Sequence, residues 1–208
     1  MIEKSTDVIR DNRTLYEREC FMLFAPMVAA KTAAQGAVSL LKLCNSLDAM
    51  DKDGKGPITR ALEVLETDGP EALMEILKAS SCGKYKLMMG FFESYREVRP
   101  CLFNGKLTDY EKLKGISYKS SRFYALMNRP GIKVAALDTH ILAELRENGV
   151  SDVPKSTPSN NWKKYERLQK CWLRYCHLRY PDNTPAEVDI ATWVRRSGSQ
   201  FKLPELFA

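Results

Sequence analysis

Apolar residues in this chain return every three or four positions, and no stretch alternates apolar with polar residues for long. The first period belongs to an α-helix that turns one face to a core; a half-buried strand needs a period of two. The pattern therefore predicts an all-α fold. From residue 15 to 47 it runs through Phe21, Phe24, Met27, Val28, Ala34, Val38, Leu41, Cys44 and Leu47, with Pro26 and Gly36 able to kink or divide it. Shorter helices are predicted over 59–65 and 70–78, parted by a Thr-Asp-Gly-Pro break, and over 84–98, stopped by Pro100. Another is predicted over 108–113, with Thr108 as N-cap and Glu111 completing a capping box. Helices over 120–128, 137–148, 162–180 and 185–196 follow, with Gly131, Gly149 and Gly198 past the ends of three of them.

The 208 residues suffice for one moderate domain or two small lobes. A chain 44% hydrophobic and 28% charged is expected to fold, not to stay disordered. The net charge of +6 permits a polyanionic partner without requiring one. Its distribution is more informative. Residues 1–105 carry 14 Lys and Arg against 15 Asp and Glu, while residues 106–208 carry 18 against 11. A nucleic-acid surface is thus expected in the second half. The six cysteines show no CxxC pair, so reduced thiols are expected. The first residues lack an apolar signal core, and the apolar run 21–30 is too short to span a bilayer.

Two segments resemble metal sites only superficially. Asp51-Lys-Asp53-Gly-Lys55 resembles a calcium loop, but Lys55 and Leu62 occupy positions that need oxygen ligands. Cys171, Cys176 and His177 lack a fourth zinc ligand. Leu113-Lys-Gly-Ile-Ser-Tyr-Lys119 carries more. A short helix, a turn at Gly115 and a new helix near Ser117 form a hairpin whose exposed N–H groups can hold a phosphate; a plain packing turn reads the same way. Further on, Val134-Ala-Ala-Leu-Asp138-Thr-His140 leads an apolar run into an Asp at a helix start. Asp138 is predicted to cap that helix through the N–H of His140 or Ile141.

Together LKGISYK and LDTHIL resemble the helix-hairpin-helix DNA glycosylase superfamily. Residues 153–157, the long helix from Trp162 and Ala186-Glu-Val-Asp189-Ile-Ala-Thr-Trp193 are similar to its type 2, archaeal-type 8-oxoguanine branch. The resemblance is good over about residues 108–202 and loose before them. It implies a two-lobed helical fold with the active site in the cleft between lobes. One lobe would combine about 1–30 with 150–208, and the other would take about 31–149 and the hairpin. It further implies Lys119 as nucleophile and Asp138 as the obligatory acid. Asp189 and Trp193 would face the extruded base. Gly115, Ile116, Ser117, Tyr118, His140 and Lys155 would contact DNA, with Lys31 filling the gap left in the duplex. Ser117 departs from the usual second glycine of the hairpin. Two late cysteines cannot hold the iron–sulfur cluster of endonuclease III-like members, so no cofactor and no metal is expected.

The implied reaction begins with a damaged base leaving the stack. A neutral Lys119 amine attacks C1′ and expels the base, leaving a Schiff base that acidifies the C2′ proton. β-Elimination then cuts the strand, with Asp138 stabilising positive charge that develops on the sugar. The expected partner is double-stranded DNA with a damaged base, read by a monomer away from membranes, in a nucleoid-bearing cytoplasm or a nucleus and not secreted. Asp189 would accept from a purine N1–H and exocyclic amine, and Trp193 would stack on the base. Lys163, Lys164, Arg167, Lys170, Arg174 and Arg179 lie along one helix, either as a DNA-facing surface or as a solvated face over an aromatic core stripe. A glycosylase for an oxidised pyrimidine or alkylated purine, or a non-catalytic DNA-binding protein, shares most of these features.

Overall fold

The computed structural model describes residues 9–27, 33–49 and 54–198. Lys31, the calcium-like residues Asp51 and Asp53, and everything after residue 198 lie outside them. The chain is all-α, and no β-strand element occurs among the described residues. The helices are α1 (Leu15–Met27), α2 (Ala33–Ser46), α3 (Pro57–Thr67), α4 (Gly69–Ala79), α5 (Tyr85–Val98), α6 (Leu107–Tyr110), α7 (Tyr118–Asn128), α8 (Thr139–Glu147), α9 (Trp162–Arg179) and α10 (Pro185–Ser197). None of them is long and apolar enough to cross a membrane.

The described residues form two compact units, which divide between residues 116 and 117. Helices α7 and α8 share a unit with the C-terminal helices, and both pack on α10.

The unit of residues 12–116 packs α1 against α2, α3 and α5, with α4 against α2, α3 and α5. Cys20, Phe21, Leu23 and Met27 supply the buried side of α1. Glu19 on that helix caps α3. Its carboxylate accepts from the N–H of Ile58 (2.8 Å) and Thr59 (2.9 Å) and from the Thr59 hydroxyl (2.5 Å). The orphan donors of the α3 N-terminus are thereby met from 39 residues away. Gly56 must lack a side chain, since a Cβ there would strike Glu19. Burial pushes the Glu19 carboxyl up, against the pull of these hydrogen bonds.

The predicted capping box at Thr108 does not form. Helix α6 starts one residue earlier, with Lys106 at its N-cap and no side-chain cap bond, and runs for only four residues. The preceding loop fixes that start: Tyr110 donates its hydroxyl to the Cys101 carbonyl (2.6 Å), which also accepts the Gly105 N–H (2.8 Å).

The second unit centres on α10, which packs against α7, α8 and α9. Helix α9 contributes Tyr165, Leu168, Trp172 and Cys176, spaced three and four residues apart on one buried face. They meet Leu137, Ile141, Leu142 and Leu145 around α8, and Val188 of α10. Each helix has a side-chain N-cap: Ser117, Asp138, Asn161 and Thr184. Thr184 and Glu187 form a full capping box, with Pro185 at the first helical position. Buried Glu144 of α8 ties three helices together, accepting from Tyr175 (2.7 Å), Arg195 (2.7 Å) and Arg196 (2.9 Å).

The long helix α9 bears out an aromatic core stripe beneath a basic face. Part of that face is engaged within the protein. Lys164 pairs with Asp152 (2.8 Å), Arg167 donates to the Ser151 and Asp152 carbonyls, and Lys170 pairs with Glu166 (3.2 Å).

Candidate functional site

The hairpin turns at Gly115, whose φ of +89° suits glycine and strains other residues. The Ile116 N–H closes the turn on the Leu113 carbonyl (3.1 Å), and both side chains are buried. Ser117 then sits in an extended conformation at φ −93° and caps α7, its hydroxyl accepting the Ser120 N–H at 3.3 Å. No positive φ is needed there, which explains why serine serves where a second glycine was expected. Tyr118 and Lys119 open the helix, both half-buried. Lys119 makes no ion pair or hydrogen bond among the described residues.

Asp138 is the N-cap of α8, as predicted. One oxygen, Oδ1, accepts from both His140 N–H (2.9 Å) and Ile141 N–H (2.8 Å). Oδ2 has no hydrogen-bond partner among the described residues. The side chain is half-buried and its direction is fixed by the two bonds.

The approach to Asp138 is unusual. Residues 134–137 are buried and non-helical, and no strand pairs with them among the described residues. Buried backbone groups still need partners. Side chains supply them one at a time. The Ala135 N–H donates to Gln169 Oε1 (3.1 Å), and the Ala135 carbonyl accepts the Tyr165 hydroxyl (2.8 Å). The Ala136 N–H donates to Asp189 Oδ2 (3.3 Å). The Leu137 N–H donates to the Tyr165 hydroxyl oxygen (3.1 Å), and the Leu137 carbonyl accepts from Thr157 (2.6 Å).

Asp189 therefore faces inward. Its other oxygen accepts the indole N–H of Trp172, and the residue is only 7% exposed. Burial pushes its carboxyl up to about 8, aided by the Asp138 charge and opposed by the bonds from Ala136 and Trp172. Trp193, one turn further along α10, is half-buried and meets the His140 ring edge-on at 6.3 Å. Lys155 is exposed in the loop before α9. The structure thus brings Asp138, His140 and Trp193 into one neighbourhood, with Asp189 behind them; Lys31 lies outside the described residues.

Sequence reasoning placed Tyr165 only in the aromatic stripe of the 162–180 helix and did not single out Gln169, Thr157 or Arg122. Arg122 is 3% exposed and lies over the rings of Tyr118 (5.7 Å), Trp162 (4.8 Å) and Tyr165 (5.2 Å). A signal was present: the 162–180 helix carries polar groups at Tyr165, Gln169 and Trp172 near its apolar positions, and residues 134–137 form a short apolar run in a chain with no alternating stretch to pair with it.

No family model matches the chain, and neither does any curated protein. The all-helical fold is nonetheless shared with a solved structure. The chain is similar to the Methanocaldococcus jannaschii 8-oxoguanine glycosylase/lyase, solved in complex with a 15mer DNA containing 8-oxoguanine. The TM-score is 0.57 at 22% identity, over 92% of this chain and 86% of that one.

Proposed function

We propose that the chain is a DNA glycosylase and AP lyase that excises oxidised guanine, 8-oxoguanine above all, from double-stranded DNA. The observation that carries this reading is the pairing of two groups. Lys119 follows the hairpin at Gly115, and Asp138 is held by one oxygen; neither Lys119 nor the other Asp138 oxygen has a partner among the described residues. Binding alone needs neither residue. The likeness to an 8-oxoguanine glycosylase/lyase supports the choice of lesion.

The chemistry follows from these groups. N–H groups at the start of α7 can hold a phosphate beside the lesion without reading sequence. The neutral Lys119 amine attacks C1′ of the extruded nucleotide. The C1′–N9 bond breaks, and its electron pair leaves with the base, which takes up a proton. Loss of the amine protons and opening of the sugar give the Schiff base, and removal of a C2′ proton expels the 3′ phosphate. The unengaged Asp138 oxygen stabilises the positive charge that grows at C1′ and orients the amine. Trp193, beside His140, is the stacking surface for the base. Asp189 serves the site from behind by holding Ala136, so we assign it no base contact.

The test is incubation with duplexes that each carry one lesion, with and without borohydride. A covalent adduct on the 8-oxoguanine duplex, absent in Lys119→Gln, is the expected result. Adducts confined to oxidised pyrimidines or alkylated purines would reassign the substrate. DNA binding with no adduct or cleavage on any duplex would overturn the enzymatic reading.

A further inference from the structure

The backbone leading to Asp138 and the first turn of α7 share one side chain. The Tyr165 phenol is fully buried. Its hydroxyl donates to the Ala135 carbonyl and accepts from the Leu137 N–H, so it grips the chain on both sides of Ala136, immediately before Asp138. Its ring meets the Tyr118 ring edge-on at 5.7 Å, immediately before Lys119. Arg122 closes the arrangement. It lies over both rings and donates to the Tyr118 carbonyl at 3.1 Å. A leucine or phenylalanine would fill the same core space, but neither could bond two backbone groups of an unpaired segment.

We infer that Tyr165 is a positioning residue that sets Lys119 and Asp138 in a common frame, an inference that rests on the lyase reading above. The ring fixes the turn that carries the nucleophile, and the hydroxyl fixes the segment that carries the acid. A phenol has two side-chain torsions and here both are packed, so the two residues are referred to one rigid body. Thr157 adds a strut on the same segment through the Leu137 carbonyl. Losing the hydroxyl leaves the ring contacts to Tyr118 and Arg122 but frees residues 135–137 to shift. The reacting groups then lose alignment, while DNA contacts made by the hairpin remain.

The experiment uses the full chain. Single-turnover borohydride trapping is timed on a duplex with a preformed abasic site, and Kd is measured on a duplex carrying a tetrahydrofuran abasic analogue. Tyr165→Phe is expected to slow trapping by about tenfold to a hundredfold while Kd stays within about twofold. Thr157→Val should slow it less, and Thr157→Ser, which keeps the hydroxyl, should trap at the wild-type rate. Trapping by Tyr165→Phe at the wild-type rate overturns the inference, and so does a loss of Kd in step with the rate. If Tyr165→Phe does not fold, the Thr157 pair decides: equal rates for Thr157→Val and Thr157→Ser overturn it. A wild-type protein that never traps overturns the lyase reading itself. Wild-type trapping that Lys119→Gln abolishes upholds that reading whatever Tyr165→Phe does.

Discussion

At the scale of single residues, Asp138 shows how a structural and a chemical role can sit on one carboxylate. Oδ1 caps α8, and Oδ2 has no hydrogen-bond partner among the described residues. The two roles separate in a variant. Asparagine caps as well as aspartate, so Asp138→Asn should keep its urea midpoint close to wild type, while Asp138→Ala should lose about 1 kcal/mol. Both should trap abasic DNA far more slowly, by about a hundredfold or more. Asp189 gives a second prediction. Its carboxyl is held up at about 8 in the fold, against about 3.9 in an unfolded chain. The native state therefore binds the extra proton, and stability falls as pH rises from about 4 towards 8. Asp189→Asn should remove this contribution, which thermal midpoints measured from pH 5 to pH 8 would show as a flatter profile. The sequence marked Asp138 as a cap because its partners are two and three residues away. It could not reveal that Asp189 faces inward, since Trp172 and Ala136 are 17 and 53 residues distant.

At the scale of elements, local signals were the legible ones. Helix α8 begins at its predicted cap, and α9 runs almost as its periodicity requires. Pro26, a candidate break in the first helical stretch, lies inside α1. Thr108 failed as a cap because a tyrosine–carbonyl bond in the loop before it set the helix start. Glu19 was invisible as the cap of α3 because it belongs to another helix. The hairpin offers the third prediction. Gly115→Ala places a Cβ 3.3 Å from both Leu87 and Pro26 and keeps φ at +89°. It should lower stability by about 1–2 kcal/mol from the left-handed backbone alone. Because the turn directly precedes the N–H groups of α7 proposed to hold a phosphate, it should also weaken binding to undamaged duplex, measured by anisotropy at fixed salt.

At the scale of the whole molecule, the charge asymmetry of the sequence coincides with the division of the structure. The candidate nucleophile, acid and stacking residue all belong to residues 117–198, in the basic half. That unit coheres around Glu144. Burial pushes its carboxyl up, but the bonds from Tyr175, Arg195 and Arg196 outweigh it and hold it at about 2. The folded value lies below the unfolded one of about 4.3, so its contribution is present above that pH and is lost as pH falls towards 2. Glu144→Gln should blunt this acid-side loss in a thermal-melt series from pH 5 to pH 2.5. Charge, helices and caps could be read in order along the chain. The clamp on residues 134–137 could not, because it is assembled from α9, α10 and a loop that only the fold brings together. The most direct test of the enzymatic claim is to trap the protein on an 8-oxoguanine duplex with borohydride, digest the adduct and locate the modified residue by mass spectrometry. A single adduct on Lys119 is the predicted result; an adduct on another lysine, or none, would contradict it.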